Sequence, residues 1–175
     1  PSNLFHALRR QALRTCNKPL ILMTPKSLLR DPRCTSSIAD LTDSNFNEII
    51  PDTKRNSSAK RIIFCTGKVY FDLEAYREKH NLNHTAIIRI EQHYPLHKSK
   101  LLEAVKCHPE ASSFVWCQEE SENMGAWSFF ESILRKLLNQ EIIYAGRDAS
   151  ASPATGSRAI HLLEQTKLIE EAFTL

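Results

Sequence analysis

The chain has 175 residues, of which 42% are apolar and 25% are charged, and this composition is typical of a folded domain that encloses a hydrophobic core. Its net charge of +3 is small and its basic residues are interspersed with glutamates, which does not favour a nucleic-acid-binding protein. No apolar run approaches the roughly 18 residues of a membrane-spanning helix, and the N-terminal residues lack the pattern of a secretion signal.

Five cysteines occur without any Cys-x-x-Cys pair, so the sequence predicts neither a disulfide framework nor a zinc site and favours a reducing compartment. Cys65 and Cys117 lie in apolar strand patterns, where a buried thiol is expected. The chain begins with Pro1 instead of methionine, which we interpret as an indication of a longer parent protein.

Residues 1–30 are predicted to form a helix followed by a strand. Leu4, Leu8, Ala12 and Cys16 recur on one side of the helical pattern. The segment PLILMTPKSLLR then predicts a strand that enters a proline turn. Because one helix and one strand cannot enclose a core, we expect this segment to be the end of an upstream domain.

Residues 31–59 are rich in Ser, Asp, Asn and Pro, which is typical of an interdomain linker. Beyond a boundary near Lys60, the apolar segments RIIFCT, TAIIRI, SFVWC and EIIYA each precede a segment of helical period. Parallel strands need long crossovers, so residues 60–175 are predicted to be an α/β domain with a mostly parallel sheet and flanking helices. The apolar stripe of the last helix is expected to contain Ala159, Leu162, Leu163, Thr166 and Ile169.

Polar turns follow three of these strands, with the sequences EQHYP, QEESENMG and GRDASASPATG. In open α/β sheets, such turns line the edge at which ligands bind. Gln118, Glu119 and Glu120 are predicted to make structural hydrogen bonds near a helix N-terminus, at a domain or subunit boundary.

The GRDASASPATG loop has the small residues, hydroxyl groups and Arg147 that an anion-binding loop would need. An ordered surface loop accounts for this composition equally well, so both interpretations stay open. The candidate interface or loop residues are therefore Gln118, Glu119, Glu120, Arg147, Ser150 and Ser152.

No catalytic signature in the sequence is complete. The CTGK segment lacks the other residues of a phosphate loop, so Lys68 is predicted to be a solvated residue of the first helical turn. His93 and His97 are separated by a proline and are not expected to bind a metal ion. Glu119 and Glu120 have the chemistry of a general acid and base, but a capping or interface role is favoured. We therefore assign no catalytic, cofactor-binding or metal-binding residue.

Basic residues concentrate near the N-terminus, where Arg9, Arg10 and Arg14 lie on the predicted helix and Lys26 and Arg30 follow it. These cations form either a solvated helix face or a site for phosphate or carboxylate groups. The residues alone leave both interpretations open.

Several long segments, in one order and over essentially the whole chain, resemble the C-terminal end of the 2-oxoglutarate dehydrogenases, which are thiamine-dependent decarboxylating enzymes. The segments are FHALRRQALR, KPLILMTPKSLLR, RIIFCTGKVYFDL, AIIRIEQHYP, FVWCQEE, MGAW and YAGRDASASPATG. The chain departs from the family at His93, where an apolar residue is typical, and at Met124, where Gln is common.

The resemblance implies a transketolase-like C-terminal domain at residues 60–175 and the tail of a pyrimidine-binding domain at residues 1–30. It also implies a homodimeric parent enzyme that uses thiamine diphosphate and Mg²⁺ and passes a succinyl unit to the lipoyl group of an acyltransferase component. The catalytic and metal-binding segments of the family precede the region that this chain resembles. The isolated chain is therefore expected to bind neither cofactor and to be inactive.

Acetyl-CoA activates some members of this family, which implies an effector site at Arg9, Arg10, Lys26 and Arg30. The parent is expected in the cytoplasm of a bacterium or in the mitochondrial matrix of a eukaryote, without a nucleic-acid or membrane partner. The alternative is a separately made α/β module that binds a nucleotide or another protein through its strand-end loops, without catalysis.

Overall fold

A computed structural model describes residues 1–15, 18–54 and 57–175 of the chain. The chain folds as two compact units, Pro1–Glu48 and Ile49–Leu175. Among the residues described, no helix is long and apolar enough to cross a membrane.

The first unit contains two α-helices, α1 (Ser2–Leu13) and α2 (Ile38–Thr42), and a 3₁₀ helix at Ser27–Arg30. His6 of α1 is buried, and its Nε2 lies 2.7 Å from the carbonyl oxygen of Asp40. Helix α1 confirms the helical prediction, but its apolar residues Leu4 and Leu8 are exposed. Cys16, the last residue of the predicted stripe, lies outside the described residues.

The strand predicted from PLILMTPKSLLR is wrong for this structure. Residues 18–25 have no strand hydrogen bonding, and the side chains of Ile21 and Met23 are exposed. A strand exists only when its backbone groups pair with a neighbouring strand, and the described part of the first unit contains no other strand. The local composition alone could not reveal that missing partner.

The second unit is built on one five-stranded sheet with the order β1-β3-β2-β4-β5. The strands are β1 (Ile49–Ile50), β2 (Arg61–Cys65), β3 (Thr85–Ile90), β4 (Ser113–Ser121) and β5 (Ile143–Arg147). Strand β1 pairs with β3 antiparallel, and the other neighbours are parallel. The predicted α/β fold with a mostly parallel sheet is confirmed.

Helices cover both faces of this sheet: α3 (Val69–Lys79), α4 (Lys98–Lys106), α5 (Trp127–Leu138) and α6 (Arg158–Thr174). Successive strand residues point to opposite faces, so Phe64 and Trp116 pack with apolar residues of α4 and α5, whereas Ile63 and Val115 pack with those of α3 and α6. Cys65 and Cys117 are buried free thiols in the central strands, as predicted, and burial raises the pKa of both.

The second unit begins earlier than the predicted boundary near Lys60. Strand β1 and the buried residues Asp52 and Ala59 lie within the segment 31–59 that was predicted to be a linker. Two isoleucines are too few to show the alternating pattern of a strand, so the sequence could not predict that they pair with β3.

Helix α6 buries a different stripe from the predicted one. Leu162, Leu163 and Thr166 are exposed, whereas Ile169 is buried together with Leu168 and Ala172. A helix of 17 residues is about 26 Å long, and the five residues of β5 extend about 17 Å. The C-terminal half of α6 therefore covers the sheet, while its first turns expose apolar side chains.

Candidate functional site at the carboxyl edge of the sheet

The carboxyl ends of the four parallel strands lie at one edge of the sheet, and the predicted polar turns follow three of them. Strand β4 continues to Ser121, so Gln118, Glu119 and Glu120 belong to the strand and not to the turn after it. Successive side chains of a strand point to opposite faces of the sheet, so adjacent residues have different surroundings. The side chains of Gln118, Glu119 and Glu120 accordingly have different roles.

Gln118 organises the loop between β4 and α5, and it is only 1% exposed. Its Oε1 accepts hydrogen bonds from one indole and from two backbone amides at the start of α5: Trp116 (3.0 Å), Ala126 (3.1 Å) and Trp127 (2.9 Å). Its Nε2 donates to three carbonyl oxygens of the loop, those of Glu120, Ser121 and Met124. The structure thus places Gln118 at a helix N-terminus, while its position at a domain or subunit boundary stays a prediction.

Glu119 joins a polar network that connects β4 to α3 and α6. Its carboxylate forms an ion pair with Lys68 and accepts a hydrogen bond of 2.9 Å from Gln165 Nε2. Both of these donors also contact Asp72, at 3.5 Å from Lys68 and 3.0 Å from Gln165. The expectation that Lys68 is merely solvated is therefore wrong, because its ammonium group bridges two carboxylates.

Arg147, at the end of β5, is held by α6. Its Nη2 lies 2.7 Å from His161 Nδ1, and its Nε lies 3.3 Å from Glu164 Oε2. The charge of Arg147 is thus already neutralised by Glu164, which weakens the case for an anion held by this arginine alone.

The loop after β5 encloses a pocket of about 390 Å³, and Arg147, Ser150 and Ser152 all line it. Its other charged lining residues are Asp148, Glu164 and Lys167, so positive and negative groups balance. The Ser150 backbone is held by Asn123, with two hydrogen bonds of 3.0 Å, and the Ser150 hydroxyl accepts from the Ser152 amide. These contacts support an ordered loop.

His93 lies beyond β3, with its Nε2 3.2 Å from Thr66 Oγ1 and its ring edge-on to Phe130 at 5.1 Å. Burial lowers the pKa of His93 below 6.5, although Glu91, Glu120 and a hydrogen bond with the Ile90 carbonyl oppose this shift.

Arg77 and Asp52 form a buried ion pair that was not predicted from the sequence. Burial raises the pKa of Asp52, but hydrogen bonds from Arg77 and from the amides of Lys54 and Ile87 outweigh it and hold this pKa below its ordinary value. Arg77 falls on the same helical stripe as Val69 and Leu73, and that spacing was the available signal.

Basic residues of the first unit line a second pocket of about 390 Å³, together with Phe46 and Glu48. The basic residues are Arg9, Arg10 and Arg14. The Arg10 guanidinium lies 4.0 Å from the centroid of the Phe46 ring. Lys26 and Arg30 do not line this pocket, so the structure brings together only part of the predicted effector set.

The parallel sheet with helices on both faces defines an α/β domain, and its fold is similar to that of a transketolase. A solved structure described as a split-gene transketolase, an inactive β4 tetramer, matches with a TM-score of 0.53 and 13% identity. The match covers 76% of this chain and 45% of that one, and at this identity it shows the fold alone.

The family model named "2-oxoglutarate dehydrogenase C-terminal" matches residues 35–173, and the chain belongs to this family. The 2-oxoglutarate dehydrogenase E1 component of Cupriavidus necator is 45% identical over 99% of this chain. Those of Coxiella burnetii and Brucella abortus are 42% and 41% identical over 100% and 98% of it. The chain spans 19% of the length of each of these relatives.

Proposed function

We propose that the chain acts as the C-terminal part of a 2-oxoglutarate dehydrogenase, which decarboxylates 2-oxoglutarate oxidatively and transfers the succinyl unit to a lipoyl group. The observation that carries this proposal is the 45% identity to an E1 component over almost the entire chain. Because the chain spans only 19% of that relative, the reaction requires the rest of the parent.

Thiamine diphosphate and Mg²⁺ act, on this proposal, at residues of the parent outside this chain. Among residues 1–15, 18–54 and 57–175, no group of three or more His, Cys, Asp or Glu side chains could hold a metal ion. We assign no step of the reaction to the residues that the structure describes.

Residues 1–30, within the first unit, contribute the tail of the preceding pyrimidine-binding domain in this proposal. Its support is a set of large apolar side chains on and after α1 that are exposed: Leu4, Leu8, Leu13, Ile21, Met23 and Leu29. So many exposed large apolar side chains in one segment favour a region that another part of the protein covers. In the parent, the upstream part of the chain packs against these apolar side chains.

The second unit contributes contacts to a homodimer and belongs to a complex with a lipoyl acyltransferase, in the cytoplasm of a bacterium or the matrix of a mitochondrion. The first turns of α6 support an interface, because Ile160, Leu162 and Leu163 are exposed there. Acetyl-CoA is proposed as an effector at the basic pocket of the first unit, which holds three arginines.

The proposal is tested by 2-oxoglutarate-dependent reduction of an artificial electron acceptor, measured for the isolated chain and for the full-length parent. We expect turnover only by the parent. Leu162→Asp with Leu163→Asp in the parent should shift its sedimentation towards the monomer, whereas Thr166→Asp, at another exposed position of α6, serves as the control. Turnover by the isolated chain, or a parent without this activity, would contradict the proposed function.

A further inference from the structure

A cleft of about 340 Å³ lies where β2, β3 and β4 end and α5 begins. Its walls include Thr66, His93, Tyr94, Glu120, Gly125 and Phe129. The cleft is thus formed by three neighbouring strand ends of the sheet, the position at which α/β proteins bind ligands.

Two aromatic side chains border this cleft and are open to solvent. Tyr94 is 85% exposed and Phe129 is 42% exposed. Aromatic rings bury a large area when a partner covers them, and the faces of their π-systems are electrostatically negative. These rings therefore favour an apolar stem that carries a positive charge.

The wall formed by His93 is polar but uncharged at neutral pH. The His93 ring is hydrogen-bonded to the Ile90 carbonyl oxygen, and its Nε2 lies 3.2 Å from the Thr66 hydroxyl oxygen. Since burial lowers the pKa of His93 below 6.5, this ring adds no positive charge to the cleft.

Glu120 is the acidic residue in the wall of the cleft, and its side chain is exposed. Among the residues that the structure describes, its carboxylate has no ion-pair partner, whereas the neighbouring Glu119 is paired with Lys68. The Glu120 carbonyl oxygen accepts hydrogen bonds from Gln118 and Tyr144, so the backbone beneath the carboxylate is fixed.

We propose that this cleft binds a lysine or arginine side chain of a docked polypeptide. The charged head group contacts the Glu120 carboxylate, and the methylene stem lies against Tyr94 and Phe129. An exposed ion pair alone contributes little, but the aromatic rings add cation–π attraction and exclude water from the stem. An anionic group would be repelled by Glu120, and this inference does not depend on the reaction of the parent.

The test uses backbone amide NMR shifts of the 175-residue chain during titration with acetyl-Gly-Lys-Gly-amide. We expect shifts at Gly125 and Phe129, and much weaker ones with the same peptide carrying norleucine, which lacks the ammonium group. Glu120→Gln and Phe129→Ala should each weaken lysine-peptide binding about two- to fivefold. Glu122→Gln, an exposed carboxylate two residues away, should change it less than about twofold.

Equal shifts with the norleucine peptide, or unchanged affinity in Glu120→Gln, would overturn the proposal. The oligomeric state is measured in parallel by sedimentation. Self-association that Glu120→Gln abolishes, without any response to the lysine peptide, would identify a second copy of this chain as the occupant and would also overturn it.

Discussion

Arg77 on α3 and Asp52, just after β1, form an ion pair in which each side chain is 1% exposed. Arg77 Nη2 lies 3.2 Å from Asp52 Oδ1, and Asp52 Oδ2 accepts a hydrogen bond of 2.9 Å from the amide of Ile87 in β3. Glu74 also contacts the Arg77 guanidinium. One buried carboxylate therefore ties the segment after β1 to the sheet and to α3.

Asp52→Ala is expected to lower the free energy of unfolding by about 3–5 kcal/mol, because it leaves the Arg77 charge buried without its main partner. The measurement is urea unfolding of the 175-residue chain. The control is Glu131→Ala, which removes an exposed ion pair with Arg135 on α5 and should cost less than about 1 kcal/mol. Similar losses in both variants would contradict the role assigned to the buried pair.

Gly125→Ala is expected to destabilise the chain more than Gly156→Ala. Both glycines have positive φ, +66° and +69°, so each substitution incurs a left-handed backbone cost of about 1–2 kcal/mol. A Cβ at Gly125 would also lie 2.9 Å from the Gln118 amide, whereas a Cβ at Gly156 meets nothing within 4 Å. The clash should add about 1–3 kcal/mol.

Urea unfolding of the two glycine variants measures this difference directly. The clash is specific to Gln118, so Gln118→Ala combined with Gly125→Ala should cost less than the sum of the single changes. Additive costs, or equal costs at the two glycines, would show that Gln118 does not constrain the loop.

The parallel strands and α3 to α5 were predictable because each buries a continuous apolar run or a periodic stripe. The burial of Arg77 was not predictable, because charged residues on a helix are usually exposed. It follows only from the ion pair with Asp52, which the sequence does not show. Structural hydrogen bonds of Gln118 near a helix N-terminus were predicted, but its individual partners were not. Five of the six lie in the following strand end, loop and helix start, and their approach depends on the fold.

The sequence predicted where the candidate site lies, but it did not predict which of its side chains contact each other. The position of the polar turns follows from strand direction alone, whereas the contact of Glu119 with Lys68 requires two non-adjacent chain segments to meet. Similarly, Arg9 and Arg10 line one pocket because they are neighbours on α1. Lys26 and Arg30 lie farther along the chain, and the sequence alone could not show whether they reach the same pocket.

His93 is expected to make the stability of the chain depend on pH. The folded state lowers the pKa of His93 below the ordinary value of 6.5, so it binds the proton less tightly than the unfolded state does. The stabilisation is therefore complete above about pH 6.5 and is lost as the pH falls towards the folded pKa. The measurement is the urea midpoint between about pH 7.5 and pH 5.5.

His93→Leu should flatten this pH dependence relative to the unsubstituted chain, because the variant lacks the imidazole whose pKa differs between the folded and unfolded states. His84→Leu, at an exposed histidine, is the matched control and should keep the original slope. Parallel curves for the unsubstituted chain and His93→Leu would count against a role of His93 in this pH range.

Acetyl-CoA binding to the parent is expected to depend on Arg9 and Arg10, which line one pocket with Arg14 and Phe46. Phosphate groups of such a ligand need fixed cations, and the loss of one charge-assisted contact typically costs about 1.5–3 kcal/mol, or roughly 10- to 150-fold in affinity. The measurement is acetyl-CoA titration of the full-length enzyme carrying Arg9→Ala or Arg10→Ala.

Lys26→Ala and Arg30→Ala separate the pocket from a diffuse basic surface, because neither residue lines the pocket. A site confined to the pocket predicts weakened binding in the Arg9 or Arg10 variant and affinity within about twofold of the parent in the Lys26 and Arg30 variants. Comparable weakening in all four variants would indicate general electrostatic attraction, which salt screens. If the parent binds acetyl-CoA and both arginine variants keep its affinity within about twofold, the effector site lies elsewhere in the parent.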